Sequence, residues 1–486
     1  MSQTPSADRN AKVAAGSAPE LVRALSGVDA TALVIGNVIG TGVFLKTAVM
    51  AQETGSPLLV LAAWVAAGLL SLAGALTYAE LGAMLPHAGG EYVYLREAYG
   101  DTAAYYYGWM RFVAGSTGSI AILGVGAATF ISAIVPLTTV WAESRFSLLG
   151  QTIHWRFGTL QVTAVAVIVA FTGLNCLSVA VGGRVQSVLT TIKIASIAGL
   201  ALGIFFLSGT GSWAHLAAPA GTVASGGLPA FGAAMMAALW AYDGWSNMPM
   251  VAGEVRDPAR NVPRALARGM LVVLALYGAA NLAYFFALDL AGIAGARSTA
   301  HPDALPVAAR AAETAFGTGG VRFIAVAFVI SALGALNSSV LTGARVPYAM
   351  ARDGVFPAAV AHLHPRTRVP VTALGVQAVW ACVLAVSGTF DQLTDYVVFA
   401  LWIFYALVAS AVFVLRRKRP QAERPYRTLG YPVVPMLFVL VALWLVINTL
   451  VYRPVESLAG VILIGLGWPV RRFVARRLEP QSSPPR

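Results

Sequence analysis

Residues 36–44 read GNVIGTGVF, with three glycines and the polar residues Asn37 and Thr41 inside an otherwise apolar run. Each glycine weakens a helix by about 1 kcal/mol relative to alanine. Gly36 and Gly40 could form a small-residue packing face, which is common in membrane helices. Such a face requires neither a third glycine at Gly42 nor two hydrogen-bonding side chains. The pattern therefore favours a helix that is interrupted at this point.

The composition around this stretch is typical of a polytopic membrane protein. Of the 486 residues, 58% are hydrophobic and 11% are charged, whereas soluble domains have about 25% charged residues. Apolar runs of roughly 20 residues, long enough to cross a bilayer core of about 30 Å, recur along the chain and lack the short alternating pattern of barrel strands. We predict an all-α protein with twelve spans, at 28–52, 58–85, 103–136, 157–179, 184–208, 229–253, 264–289, 318–345, 370–388, 391–414, 431–451 and 455–471.

The distribution of positive charge predicts the orientation. With the N-terminus inside, 24 of the 33 Lys and Arg residues fall on the inner side and 7 on the outer side, in agreement with the positive-inside rule. The net charge of +12 is therefore attributed to topology and contact with lipid, and not to nucleic-acid binding. The first 27 residues lack the pattern of a signal peptide. We expect a multi-pass protein of the plasma (inner) membrane with both termini in the cytoplasm.

The sixth span contains a second interruption. It reads LWAYDGWSNMPMVAGEV (239–255), where Asp243, Gly244 and Pro249 break the apolar run. Proline removes an amide donor and clashes with the preceding turn, and a carboxylate at mid-membrane depth usually marks a functional site. The alternative for Asp243 is a cap on the second half of the helix.

Interruptions in spans one and six predict two five-helix halves. Because five is odd, the second half enters the membrane from the opposite side, which is the inverted-repeat layout of many secondary transporters. The predicted organisation is a cytoplasmic N-terminal tail at 1–27, a first repeat at 28–208, an inverted second repeat at 229–414, two C-terminal helices at 431–471 and a cytoplasmic tail at 472–486.

Such breaks have a direct chemical use. An unwound turn exposes amides that favour an anion at the start of a half-helix, and carbonyls that favour a cation. A site with both suits a small zwitterion, for which an α-amino acid is the obvious candidate.

At these residues the chain resembles the amino acid–polyamine–organocation superfamily, and within it the L-type amino acid transporter-like branch. The motifs of the resemblance cover nearly the whole chain. They are GNVIGTGVF (36–44), ALTYAELGAMLPHAGGEYVYLREAYG (75–100), RVQSVLTTIKIASIAGL (184–200), LWAYDGWSNMPMVAGEVRDPARNVPRAL (239–266), ALGALNSSVLTGARVPYAMARDGVFP (332–357) and RPQAERPYRTLGYPVVP (419–435).

The resemblance implies alternating access by helices 1 and 6 against a scaffold, and it implies a substrate site. The carboxylate of the substrate should meet the amides of residues 41–43. Its ammonium should meet the carbonyls of Val38 on helix 1 and of Trp240, Ala241 and Asp243 on helix 6. Trp240 should act as an aromatic gate, or alternatively be an ordinary buried aromatic residue. The implied substrate-binding set is Val38, Ile39, Gly40, Thr41, Gly42, Val43, Trp240, Ala241, Asp243 and Gly244.

Lys193 lies well inside the fifth span, where an unpaired ammonium is costly. The resemblance implies that this ammonium stands where sodium-coupled relatives hold the ion, so that transport is sodium-independent. A protonation role and an inward-facing lysine on a tilted helix stay open. The implied partners of the Lys193 ammonium are Gly36 and Asn37 on the first span and Ser338 and Ser339 on the eighth span.

In the branch that the YDGW sequence resembles, the acid at the position of Asp243 is associated with cationic or mixed neutral and cationic substrates. A carboxylate beside the substrate side chain would attract Lys, Arg or ornithine.

The sequence predicts few other components. Animal members that pair with a glycoprotein heavy chain have a cysteine in the loop that corresponds to 135–155, where this chain has none. We expect no disulfide-linked heavy chain, and a monomer or weak homo-oligomer. The two cysteines, Cys176 and Cys382, are expected to be buried thiols. No metal-ligand spacing, no Walker-type phosphate loop and no cofactor motif is found, and the serines Ser116 and Ser246 have no in-span histidine as a base. We expect no catalytic residue, metal or cofactor.

The leading hypothesis is secondary active transport of neutral and/or cationic L-amino acids, either by sodium-independent exchange or by proton-linked uptake. A polyamine or organocation transporter of the same fold, and an ion channel lined by the two breaks, are the alternatives. Charged residues near the span ends are expected to be mostly solvated, with a cytoplasmic gate or a helix-docking role as the alternative: Glu80, Glu91, Arg96, Glu254, Asp257, Arg260 and Arg264.

Overall fold

A computed structural model describes residues 21–132, 134–148, 151–217, 227–298, 300–301, 303–387, 390–452 and 454–478. Most of the two predicted tails, at 1–20 and 479–486, therefore lies outside the described residues. The described chain is almost entirely helical, and its core surrounds the two interrupted helices.

The helices of the first half follow the predicted spans 28–52 to 184–208. The third span contains a π-helical turn, Arg111–Gly115, and a short 3-10 helix, Trp213–Leu216, follows the last helix of this half. The helices are α1 (Gly27–Val38), α2 (Gly42–Thr54), α3 (Pro57–Met84), α4 (Glu91–Tyr99), α5 (Asp101–Met110), α6 (Ser116–Ser132), α7 (Thr159–Leu177) and α8 (Val179–Leu207).

The remaining helices begin at Gly227. A 3-10 helix, Trp245–Glu254, forms the second part of broken helix 6, and another, Ala358–Ala361, precedes the ninth span. The helices are α9 (Gly227–Ala241), α10 (Pro258–Ala287), α11 (Leu290–Ala294), α12 (Val307–Phe316), α13 (Thr318–Gly343), α14 (Arg345–Arg352), α15 (Val371–Ser387), α16 (Phe390–Lys418), α17 (Val433–Tyr452), α18 (Pro454–Gly465) and α19 (Gly467–Leu478).

Helical structure lies within all twelve predicted ranges. Among the described residues, nine helical stretches are long and apolar enough to cross a membrane. The chain is therefore a multi-pass helical membrane protein, while the count of twelve crossings and the inverted repeat stay predictions. The final helix continues to Leu478, through the first seven residues of the predicted tail.

The all-α prediction was wrong between the third and fourth spans. There, strand β1 (Val140–Leu148) pairs antiparallel with β2 (Gln151–Gly158). The region is rich in Trp, Phe, Val and Thr, which favour strands. The hydropathy pattern gave no sign of it, because a short hairpin has no apolar run of membrane length.

The start of α1 is fixed by three interactions. Ser26 and Asp29 form a capping box, in which the Asp29 amide donates to Ser26 Oγ over 3.2 Å. Asp29 also accepts a hydrogen bond from Ser187 on α8, over 2.8 Å. Leu25 and Val255 form a parallel backbone bridge, with the Leu25 amide donating to Glu254 O over 2.9 Å. These contacts connect the start of helix 1 with the fifth span and the end of broken helix 6.

The expectation of mostly solvated charges near the span ends was wrong for three glutamates. Glu80, Glu91 and Glu254 are all buried. Glu80 forms ion pairs with Arg416 and Arg424, and Glu254 with Arg345. These arginines come from distant parts of the sequence, so no local pattern marked the pairs. The expectation does hold for Arg96, which is partly exposed and paired with Asp353, and for Asp257, Arg260 and Arg264, which are exposed.

Candidate functional site

The first break lies where the glycine-rich stretch predicted it. Helix α1 ends at Val38 and α2 begins at Gly42, with Ile39, Gly40 and Thr41 between them. Among the described residues, the amides of residues 41–43 have no hydrogen-bond acceptor, and Thr41 makes no side-chain cap. Unpaired amides and the dipole at a helix start together favour an anion such as a carboxylate.

The second break separates α9 from the 3-10 helix Trp245–Glu254. It contains a turn at Gly244, whose φ of 112° belongs to the left-handed region that favours glycine. A Cβ atom at Gly244 would lie 2.9 Å from Asn37 O, so the backbones of the two breaks come into direct contact. Asn37 Nδ2 also donates to Gly244 O over 3.0 Å.

Helix α2 starts against the end of α9. A Cβ atom at Gly42 would lie 2.5 Å from Ala241 Cβ, which only a residue without a side chain avoids. Glycine at this position therefore lets the start of one half-helix pack on the end of the other.

Tyr277 on α10 connects the carbonyls of both breaks. Its hydroxyl lies 3.0 Å from Val38 O and 3.1 Å from Ala241 O. These are two of the carbonyls that the sequence assigned to the substrate ammonium. A carbonyl has two lone pairs, so each retains capacity for a second donor. The sequence analysis missed Tyr277, because one tyrosine in an apolar span carries no distinguishing signal.

Lys193 is 2% exposed, and its Nζ donates to Gly36 O over 2.8 Å and to Ile39 O over 2.7 Å. The expected contact with a carbonyl around Gly36 is present, and the second partner is Ile39 instead of Asn37. Two carbonyls at the break of helix 1 thus accept hydrogen bonds from Lys193 Nζ, so the side chain points into the bundle.

The hydroxyl beside Lys193 belongs to a different serine from those expected. Ser331 Oγ donates to Ile39 O over 3.1 Å and to Gly40 O over 2.9 Å. Ser338 and Ser339 contact helix 1 elsewhere, at Leu33 O over 3.4 Å and at Asn37 Oδ1 over 3.3 Å. Ser331 is two turns of α13 before the predicted pair, a displacement that depends on how the helices cross.

Trp240 lies at the end of α9 and is half-buried. The ammonium of Lys46 on α2 is 4.3 Å from the centre of its ring, a cation–π contact. The indole therefore spans the gap between the two half-helices.

Asp243 accepts a hydrogen bond from the Tyr405 hydroxyl on α16 over 2.8 Å, and that hydroxyl also lies 3.1 Å from Ser246 Oγ. Within the predicted site, Val38, Ile39, Gly42, Val43, Ala241 and Gly244 are buried, whereas Asn37, Gly40, Thr41, Trp240 and Asp243 keep accessible surface.

A family model described as amino acid permease matches residues 25–465, which is most of the chain and includes both breaks. The chain belongs to the amino acid permease family. It is therefore an amino acid transporter of the membrane and not an enzyme.

Similar proteins include exchangers and transporter subunits. The permease is 32% identical to the serine/threonine exchanger SteT of Bacillus subtilis (strain 168) over 451 residues, which cover 92% of this chain and 96% of that protein. It is 29% identical to the b(0,+)-type amino acid transporter 1 of Mus musculus, covering 88% and 82%. It is 28% identical to the mouse large neutral amino acids transporter small subunit 2, covering 91% and 79%.

Proposed function

We propose that this permease is a secondary transporter that carries neutral and cationic L-amino acids by sodium-independent alternating access. The observation that carries the proposal is the contact between two helix breaks, one with free amides and the other with a carboxylate. Exchange is favoured as its mode by the similarity to a serine/threonine exchanger.

The amino acid backbone would bind across the two breaks. Its carboxylate would accept hydrogen bonds from the amides of residues 41–43. Its ammonium would donate to carbonyls at Val38, Trp240, Ala241 and Asp243, two of which share the Tyr277 hydroxyl. Trp240 would cover the bound substrate as a gate.

Asp243 would set the preference for side-chain charge. Its carboxylate keeps accessible surface and has one hydroxyl partner in the described part of the chain, Tyr405. It can therefore accept further hydrogen bonds from a cationic side chain. We expect Asp243→Asn to reduce uptake of lysine or arginine at least tenfold more than uptake of a neutral amino acid, measured as initial rates in proteoliposomes. An equal loss for both classes would contradict this role.

Lys193 would take the structural place of a sodium ion. Its ammonium is bound to two carbonyls at the break of helix 1, the kind of ligands that a sodium ion also takes. Uptake should then be independent of external sodium.

We further propose the predicted topology: twelve crossings of the plasma membrane, both termini cytoplasmic, and inverted repeats at 28–208 and 229–414 followed by two helices at 431–471. The mouse relative named a small subunit belongs to a larger assembly by its name. This permease is proposed to act without a disulfide-linked heavy chain, because its loop 135–155 contains no cysteine.

The deciding experiment uses the purified protein in proteoliposomes with a panel of labelled amino acids and one polyamine. Each is tested with and without sodium, a pH gradient and internal substrate. Saturable amino acid uptake that internal amino acid stimulates, with no effect of sodium, supports the proposal. Uptake of the polyamine alone would instead indicate a polyamine transporter. Large unitary currents in planar bilayers would indicate an ion channel.

A further inference from the structure

A second buried polar cluster lies beside broken helix 6, centred on Glu91 at the start of α4. Glu91 is 0% exposed. The loop before it docks on the 3-10 helix, where the Gly89 amide donates to Met250 O over 2.9 Å. This contact holds the carboxylate inside the bundle, although α4 lies between two spans.

The polar groups around Glu91 are incompletely satisfied. The Tyr107 hydroxyl on α5 donates to Glu91 Oε2. The Tyr78 hydroxyl lies beside the carboxylate and stabilises its charged form. In the described part of the chain, Tyr94 OH and Arg111 Nε lack a hydrogen-bond partner. Buried polar groups without partners are rare, and two of them around one acid indicate a functional site.

Arg111 provides the positive charge of the cluster but is not ion-paired with Glu91. It is 3% exposed and lies at the start of the π-helical turn, an irregularity that is frequent at functional sites. Its guanidinium donates to Asn247 Oδ1 and contacts Met250 Sδ at 3.7 Å. Arg111 therefore connects this cluster with broken helix 6, four residues beyond Asp243.

The charges that face Glu91 do not balance. Among the described residues, Arg111 is the guanidinium and Asp243 the carboxylate that act most strongly on Glu91. When both acids are ionised, the cluster has an excess negative charge next to the fully buried Glu91, which is unfavourable. Burial raises the pKa of Glu91. The facing titratable and charged groups are Tyr78 on α3, Tyr94 on α4, Tyr107 on α5, Arg111 on the π-helical turn, Asp243 on broken helix 6 and Tyr405 on α16.

We propose that Glu91 and Asp243 together bind one positive charge during transport, which is either a proton or the cationic side chain of the substrate. This inference rests on the proposed amino acid transport and assigns its coupling. A neutral amino acid then moves with one proton, and a cationic amino acid moves without one. The loaded carrier has the same charge in both cases, because a zwitterion plus a proton matches lysine in net charge.

The test measures proton movement directly in proteoliposomes that contain a pH-sensitive dye. In proteoliposomes loaded with lysine, uptake of serine in exchange for lysine should acidify the lumen with about one proton per serine, and uptake of lysine should not acidify it. Serine uptake without acidification, or lysine uptake with it, would overturn the inference while leaving amino acid transport intact. Failure to take up any amino acid would instead overturn the proposed function.

A variant locates the proton. Glu91→Gln should lower the number of protons taken up per serine to near zero, whatever its rate of serine uptake, whereas the exposed control Glu53→Gln should keep the wild-type ratio. Retained acidification in Glu91→Gln would overturn the role of Glu91. If Glu91→Gln does not yield folded protein, the wild-type comparison of serine with lysine still decides the coupling.

Discussion

Glu254 and Glu91 are both fully buried glutamates beside the second half of broken helix 6, yet their surroundings differ. Both oxygens of Glu254 accept hydrogen bonds from Arg345, over 2.8 Å from Nε and 2.8 Å from Nη2. Glu91 accepts a hydrogen bond from the Tyr107 hydroxyl, has the Tyr78 hydroxyl beside it, and forms no ion pair with an arginine among the described residues. The arginine pair compensates the charge of Glu254, whereas the proposed proton site at Glu91 depends on a carboxylate that no such pair compensates.

The largest effect is expected at the compensated acid. Glu254→Gln leaves the Arg345 guanidinium buried without an opposite charge, which costs about 3–5 kcal/mol. We expect a large fall in thermal stability in detergent. The double variant Glu254→Leu with Arg345→Met removes both charges and should recover most of the loss. A single variant as stable as the wild type would show that the pair is not structural.

Arg111→Met should have the next largest effect. It removes the one guanidinium beside Glu91 and Asp243 and the contact with Asn247. Loss of a hydrogen bond to a charged group costs about 1.5–3 kcal/mol, so we expect about a tenfold or greater fall in initial uptake. Arg111→Lys keeps the charge and should restore part of the rate. Equal defects in both variants would show that packing, not charge, is responsible.

Glu91→Gln should change stability by less than about 1 kcal/mol at neutral pH, because glutamine keeps the size and an acceptor for Tyr107. Burial raises the pKa of Glu91 above the ordinary value of 4.5, so the protonated acid favours the folded state. This contribution is complete below pH 4.5 and is lost as the pH rises through the raised pKa. The difference in melting temperature between wild type and variant, measured against pH, should follow this sign. If Glu91→Gln lowered thermal stability as much as Glu254→Gln does, the two glutamates would not differ in their structural role.

The smallest effect is expected for Tyr107→Phe. The hydroxyl donates to the carboxylate and stabilises its charged form, so its removal raises the pKa of Glu91 further. A charged hydrogen bond corresponds to about one pH unit, and the pH profile of serine uptake should move upward by about that amount. The profile of lysine uptake should stay in place. A shift of both profiles would assign the effect to a group other than Glu91.

Much of the architecture could be predicted from local sequence. The apolar runs gave the positions of the helices, and the glycines and polar residues of 36–44 and 239–255 gave both breaks. The contacts of the breaks could not be predicted in the same way. Tyr277, Ser331 and the Glu254–Arg345 pair join residues from different helices, and their spacing in the sequence contains no pattern that selects one partner over another.

The sequence by itself determined where the helices form and where two of them stop, because backbone hydrogen bonding and the weakness of glycine and proline in helices act over a few neighbouring residues. Only the tertiary structure decided which buried charges are compensated. Compensation depends on whether an arginine from another helix reaches both oxygens of an acid. For Glu254 and Glu91, that geometry follows from the way distant helices cross.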